Sequence, residues 1–108
     1  MSLTFKSTRD LIVRTPNLAA AKKFYESVLR LSASYDSKTL MGYECGSFTL
    51  YVEEGPAHGP VFEFKVSDVA AAKKALLEAG CELVEEDAAV PRCYMKDPFG
   101  LIFNIAQV

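Results

Sequence analysis

Apolar and polar residues alternate from Thr8 to Arg14, the mark of a strand with one buried face, and Leu11 and Val13 point together toward whatever covers it. Pro16-Asn17 stops that strand, and Asn17 can accept the unpaired N–H groups of a following first helical turn. In that helix Leu18, Ala21, Tyr25, Val28 and Leu29 recur on one side, with Lys22, Glu26 and Arg30 opposite, which predicts burial of the first set. Ser32 to Asp36, Thr39 to Cys45 and Ser47 to Glu53 then read as three short strands, separated by Asp36-Ser37-Lys38 and by Gly46. The first half of the chain reads βαβββ.

From Glu54 to Pro60 the chain is rich in Gly and Pro and has no periodicity, so a linker is expected. Then the pattern restarts. Val61 to Val66 alternates, Asp68 caps a helix, and Val69, Ala72, Leu76 and Ala79 form its apolar side, with Gly80 placed to end it in a left-handed conformation. Cys81 to Val84, Val90 to Lys96 and Leu101 to Gln107 supply three more strands, the last two joined by Asp97-Pro98-Phe99-Gly100. The pentad Ala19-Ala20-Ala21-Lys22-Lys23 recurs without a mismatch at Ala70-Ala71-Ala72-Lys73-Lys74, 51 residues later. Strand, cap and helix agree in register at the same offset, so the repeat is a duplicated module. The expected organisation is a single domain over 1–108, with modules of about 5–54 and 61–108 and a linker at 55–60. The lead from Met1 to Lys6 carries no signal.

Half of the residues are apolar, enough for a buried core, and the net charge is −2 without a basic cluster, so neither nucleic acid nor an anionic membrane is indicated as partner. No apolar run is long enough to span a bilayer, and the N-terminus lacks the pattern of a secretory signal, so a soluble, cytoplasmic protein is expected. Cys45, Cys81 and Cys93 show no paired spacing and read as reduced, buried thiols.

The doubled βαβββ pattern, the Phe24-Tyr25 pair in the first helix and the ending Tyr94-Met95-Lys96-Asp97-Pro98-Phe99-Gly100-Leu101-Ile102-Phe103-Asn104-Ile105 resemble the vicinal oxygen chelate superfamily, which contains glyoxalases, bleomycin-resistance proteins and extradiol dioxygenases. The resemblance implies an α+β fold of two βαβββ modules forming an open, curved mixed sheet, with the helices outside, a ligand cleft on the concave face, and homodimers. It further implies four metal-ligand positions, one on the first and one on the last strand of each module. In this sequence they fall at Asp10, Val61, Tyr51 and Asn104. Of these only Asp10 offers a ready donor to a divalent ion, so no metal cofactor is expected. His58, the single histidine, stands three residues before Val61 in the Gly/Pro stretch; it reads as a solvated loop residue, with a ligand role as the alternative.

Strand alternation places Asp10, Ile12, Arg14, Thr49, Tyr51, Glu63, Lys65, Arg92, Tyr94, Ile102, Asn104 and Ala106 on the concave side. Of these, Asp10, Arg14, Tyr51, Glu63, Arg92, Tyr94 and Asn104 are the candidate ligand-binding residues, a mix of aromatic and convergent polar groups that suits a small organic molecule. The competing expectation is that Arg14, Glu63, Lys65 and Arg92 pair with one another on a wet sheet face. Glu63 is the one candidate base for a metal-free proton transfer, and no Ser, Cys or Lys has a histidine beside it to make a nucleophile. The reading is a metal-free, homodimeric binder of a small molecule. Its alternatives are a metal-dependent lyase, isomerase or dioxygenase of the glyoxalase type using Asp10 and His58, and an accessory domain without pocket chemistry.

Overall fold

Two polar side chains start the two helices, 51 residues apart: Asn17 Oδ1 accepts the Ala20 N–H and Asp68 Oδ1 the Ala71 N–H, each at 3.0 Å. In the computed structural model, which describes residues 3–108, every element follows from this pair of starts; Met1 and Ser2 of the lead lie outside the described residues. The first half runs β1 (Lys6–Thr15), α1 (Leu18–Lys23, continuing as a π-helical turn over Phe24–Val28), β2 (Ser32–Asp36), β3 (Leu40–Glu44) and β4 (Thr49–Glu54). The second runs β5 (His58–Val66), α2 (Val69–Glu78), β6 (Glu82–Asp87), β7 (Arg92–Lys96) and β8 (Ile102–Gln107). The fold is α+β with two βαβββ units, as the patterning requires.

By internal contacts the chain forms two compact units, Arg9–Pro60 and Val61–Val108, the latter joined by the residues up to Thr8. In the first unit the strands lie in the order β2-β3-β4-β1, in the second β5-β8-β7-β6. In both, the first and last strands are parallel and the remaining pairs antiparallel. The register repeats as well: Ile12 lies opposite Tyr51, and Glu63, 51 residues after Ile12, opposite Asn104. A bulge interrupts β2 between Ala33 and Tyr35 and β6 between Leu83 and Glu85.

Each unit buries the helix-facing side of its sheet. In the first, Leu18 packs with Met41, Tyr43, Leu50 and Val52, flanked by Leu11, Val13, Tyr25 and Leu31. In the second, Val66, Ala72, Cys93, Met95, Phe103 and Ile105 form the core, with Leu76 and Phe64 against it. Removing one large side chain of this kind from water stabilises the fold by about 1.5–3 kcal/mol. Cys93 is buried as read, while Cys45 and Cys81 are partly so, and all three are free thiols.

Several expectations need correction. Val28 and Leu29 are exposed, because Leu29 N–H bonds back five residues to Phe24 O and the widened turn rotates them off the α-helical face. The same rotation brings Glu26 inward, where its carboxylate accepts a 2.9 Å hydrogen bond from the buried Tyr43 hydroxyl. Ala79 caps α2 and is exposed, not buried. The expected linker ends early, since β5 already begins at His58. The lead is not silent either: Leu3 packs on the second core and the Phe5 ring meets Phe64 edge-on at 6.5 Å.

Candidate functional site

With Leu11, Val13, Leu50 and Val52 turned toward α1, alternation turns Ile12 and Tyr51 to the helix-free face of the first unit. One cross-strand row there runs Ile12, Tyr51, Gly42, Tyr35. The Tyr51 ring lies over Gly42: a Cβ on that glycine would stand 3.0 Å from Tyr51 Cε1 and 3.1 Å from Tyr35 Cβ. Glycine here is what lets two aromatic side chains share the surface. Thr49 lies opposite Asp10, one step along, and Glu53 opposite Arg14.

Arg14 Nε donates to Glu53 Oε1 at 2.9 Å, and its side chain is only 10% exposed. Its aliphatic stem passes against Gly55, where an added Cβ would come within 2.5 Å of Arg14 Cδ. A guanidinium this withdrawn from water needs its carboxylate, so Glu53 is part of the site wherever Arg14 is. Glu53 escaped the sequence reading, although it stands two residues beyond Tyr51 and so shares its face.

The equivalent row of the second unit is Glu63, Asn104, Tyr94, Glu85. Asn104 Oδ1 accepts the Cys93 backbone N–H at 2.8 Å, and Asn104 Nδ2 donates to Glu63 Oε2 at 3.2 Å. Arg92 Nη1 donates to Glu85 Oε2 at 3.0 Å, and its guanidinium carbon lies 5.2 Å from the centre of the Tyr94 ring. The Tyr94 ring is covered, only 4% of the residue being exposed. Glu85 is the second residue missed, because only the β6 bulge sets it opposite Tyr94, where unbroken alternation would put Val84. Charges on these faces do pair, in line with the competing expectation, but with carboxylates it did not name: Arg14 takes Glu53, Arg92 takes Glu85, and Glu63 takes an amide.

His58 opens β5, and its Nδ1 lies 2.8 Å from Gly59 O. A carbonyl only accepts, so Nδ1 donates to it, and Nε2 is buried within the protein. His58 is a partly buried strand residue, not a solvated loop one.

The donors at the four implied ligand positions do not suit a divalent metal. In the second unit Val61 is buried and apolar, and the oxygen of Asn104 is committed to the Cys93 N–H. In the first, Tyr51 offers a neutral phenol, leaving Asp10 as the single carboxylate of the set. Among the described residues no three His, Cys, Asp or Glu side chains gather where they could hold a metal ion. On the helix side, a hollow of about 330 Å³ lined by Val69, Pro91, Cys93 and Ile105 was not foreseen, since it forms from the loop before β7. Burial there raises the Cys93 thiol above the ordinary cysteine range, which keeps it protonated and inert.

This doubled module, with its repeated register, is the fold of the glyoxalase, bleomycin-resistance and extradiol dioxygenase superfamily. Residues 10–106 match the family model of the glyoxalase-like domain, and the chain belongs to that family. A superfamily member from Vibrio splendidus 12B01 superposes with a TM-score of 0.66 at 14% identity, covering 97% of this chain and all of that one (100%). Homoprotocatechuate 2,3-dioxygenase from Brevibacterium fuscum, in complex with 3,4-dihydroxyphenylacetate, superposes with a TM-score of 0.65 at 21% identity over 94% of this chain. The chain spans 36% of that dioxygenase. A hypothetical protein from Bacillus halodurans C-125 gives 0.65 at 11% identity, over 100% of this chain and 96% of that one. At these identities the likeness is one of fold. A search of curated proteins finds no match to the chain. No helix among the described residues is long and apolar enough to cross a membrane.

Proposed function

We propose that this protein binds a small organic molecule, without a metal, in the concave cleft that its family implies, as a cytoplasmic homodimer. One observation carries the reading: at the paired positions Tyr51 and Asn104 the chain has an aromatic ring laid over a glycine and an amide locked by a backbone N–H, where a metal enzyme of this fold needs carboxylates. The helix-free faces keep the means to hold a ligand, in two tyrosines around Gly42, the Arg14–Glu53 pair and the Glu63–Asn104 pair. The metal-dependent enzyme would have to assemble its ligands from Asp10, His58 and a second subunit.

Metal analysis of protein purified without chelator separates the two. The proposal expects substoichiometric metal and a melting temperature unmoved by Ni²⁺, Zn²⁺, Mn²⁺ or Fe²⁺; a shift of several degrees with one of them overturns it. Sedimentation at tens of micromolar checks the dimer.

A further inference from the structure

We infer that Glu63 is the anchor for a protonated amine or amidine, and that Asn104 is the residue that positions it; this rests on the small-molecule reading above. An ionised carboxylate offers about four acceptor sites. On the two helix-free faces Glu53 and Glu85 spend theirs on guanidinium groups, at 2.9 and 3.0 Å. Glu63 is partly buried on β5, and its one hydrogen bond within the described residues comes from a neutral amide to Oε2, at 3.2 Å. Among the described residues no cation pairs with it, which leaves Oε1 able to accept a further donor. A carboxylate half withdrawn from water and left without a counter-charge binds a cationic N–H donor in preference to a neutral one.

The amide is not a bystander. The Cys93 N–H lies just beyond the Tyr94–Asn104 pair that ends the β7–β8 ladder, and it is taken by Asn104 Oδ1 at 2.8 Å. A backbone N–H can be met only by the oxygen end, so the NH₂ end is forced toward Glu63. Flipping the amide would set its oxygen against the carboxylate and leave the Cys93 N–H unmet, so one orientation is fixed twice over. Asn104 thereby holds the Glu63 carboxylate in one direction without supplying the charge that would cancel it. Next in the row the Tyr94 ring is occupied by Arg92, a resident cation on the far side of Asn104 from Glu63.

The test is an amide NMR titration of the full chain with three probes of similar shape: benzamidine, benzyl alcohol and benzoate. Benzamidine is expected to shift the Asn104 side-chain amide and the Cys93 and Glu63 backbone amides, with saturation at millimolar concentration. Glu63→Gln, which keeps shape and removes charge, should weaken benzamidine at least about fivefold, and Asn104→Ala should lower the benzamidine-to-benzyl-alcohol preference by a similar factor. Spectra unchanged elsewhere show that both variants are folded. If benzyl alcohol or benzoate moves the same signals as strongly, and Glu63→Gln changes nothing, the cation anchor is wrong while a binding face stands. If no probe moves any signal on that face, the anchor fails together with the binding reading.

Discussion

The two modules share their caps, their bulges and their strand register, yet at matched positions the helix-free faces differ in kind. The first carries Ile12, Tyr51, Gly42 and Tyr35, an apolar and aromatic row with a gap in it; the second carries Glu63, Asn104, Tyr94 and Glu85, a row closed by hydrogen bonds and ion pairs. The helix-facing sides differ less: Tyr43 and Met95 occupy the same place, each fully buried, one tied to Glu26 and the other beside the Cys93 sulfur. Duplication preserved what packing needs and released what the face could become. Each copy needs its own core, whereas the residues on its helix-free face are not held by that core and have diverged.

The sharpest test of that division lies in the two cores. Tyr43→Ala should cost about 3–5 kcal/mol and Met95→Ala about 2–5 kcal/mol in denaturant melts, because either leaves a cavity in a unit that has one core. If one were nearly neutral, the two modules would not be equivalent in packing. The next effect separates them. Desolvation and the Glu26 carboxylate raise the Tyr43 hydroxyl far above its ordinary 10.0. Its contribution is therefore complete below pH 10 and is lost above it, by about 1.4 kcal/mol per pH unit, until the folded group ionises. Tyr43→Phe should remove this alkaline slope, and no counterpart exists at Met95; melts between pH 8 and roughly 11 measure it.

Smaller effects belong to the faces. Gly55→Ala forces Arg14 away from its stem position and is expected to cost about 1–3 kcal/mol, with loss of the Glu53 pairing, readable by melting and by double-mutant cycles with Glu53→Gln. Gly42→Ala presses on Tyr51 Cε1 at 3.0 Å, so stability should fall by about 1 kcal/mol or less while the Tyr51 ring signals move. A ligand found by thermal screening should then bind Gly42→Ala more weakly than wild type, and an unchanged affinity would remove the first module's row from the site.

Much of this was legible in the residues. Asn17 and Asp68 announced the helices because a cap is a local event, and the Asp97-Pro98-Phe99-Gly100 turn is local too, with Asp97 Oδ1 accepting both the Phe99 and Leu101 N–H groups at 2.9 Å. Period-two alternation set the faces of β1, β4, β5 and β8. What escaped depends on partners far along the chain. Glu53 and Glu85 became site residues by standing across from Arg14 and beside Arg92, and the β6 bulge that delivers Glu85 leaves no mark in the alternation. Exposure of Val28 follows from a change of helical pitch, which a 3.6-residue period cannot foresee.

That change of pitch has a meaning in chain length. The helices of the two modules start 51 residues apart, but the strands after them, at Ser32 and Glu82, start 50 apart. The first module holds one residue more between those points, and a π-helical turn over Phe24–Val28 is where a helix can store one surplus residue without moving its start or the strand it feeds. Shortening that turn by one residue would give an α-helix of the second module's count, so the two halves differ there by a single tolerated insertion.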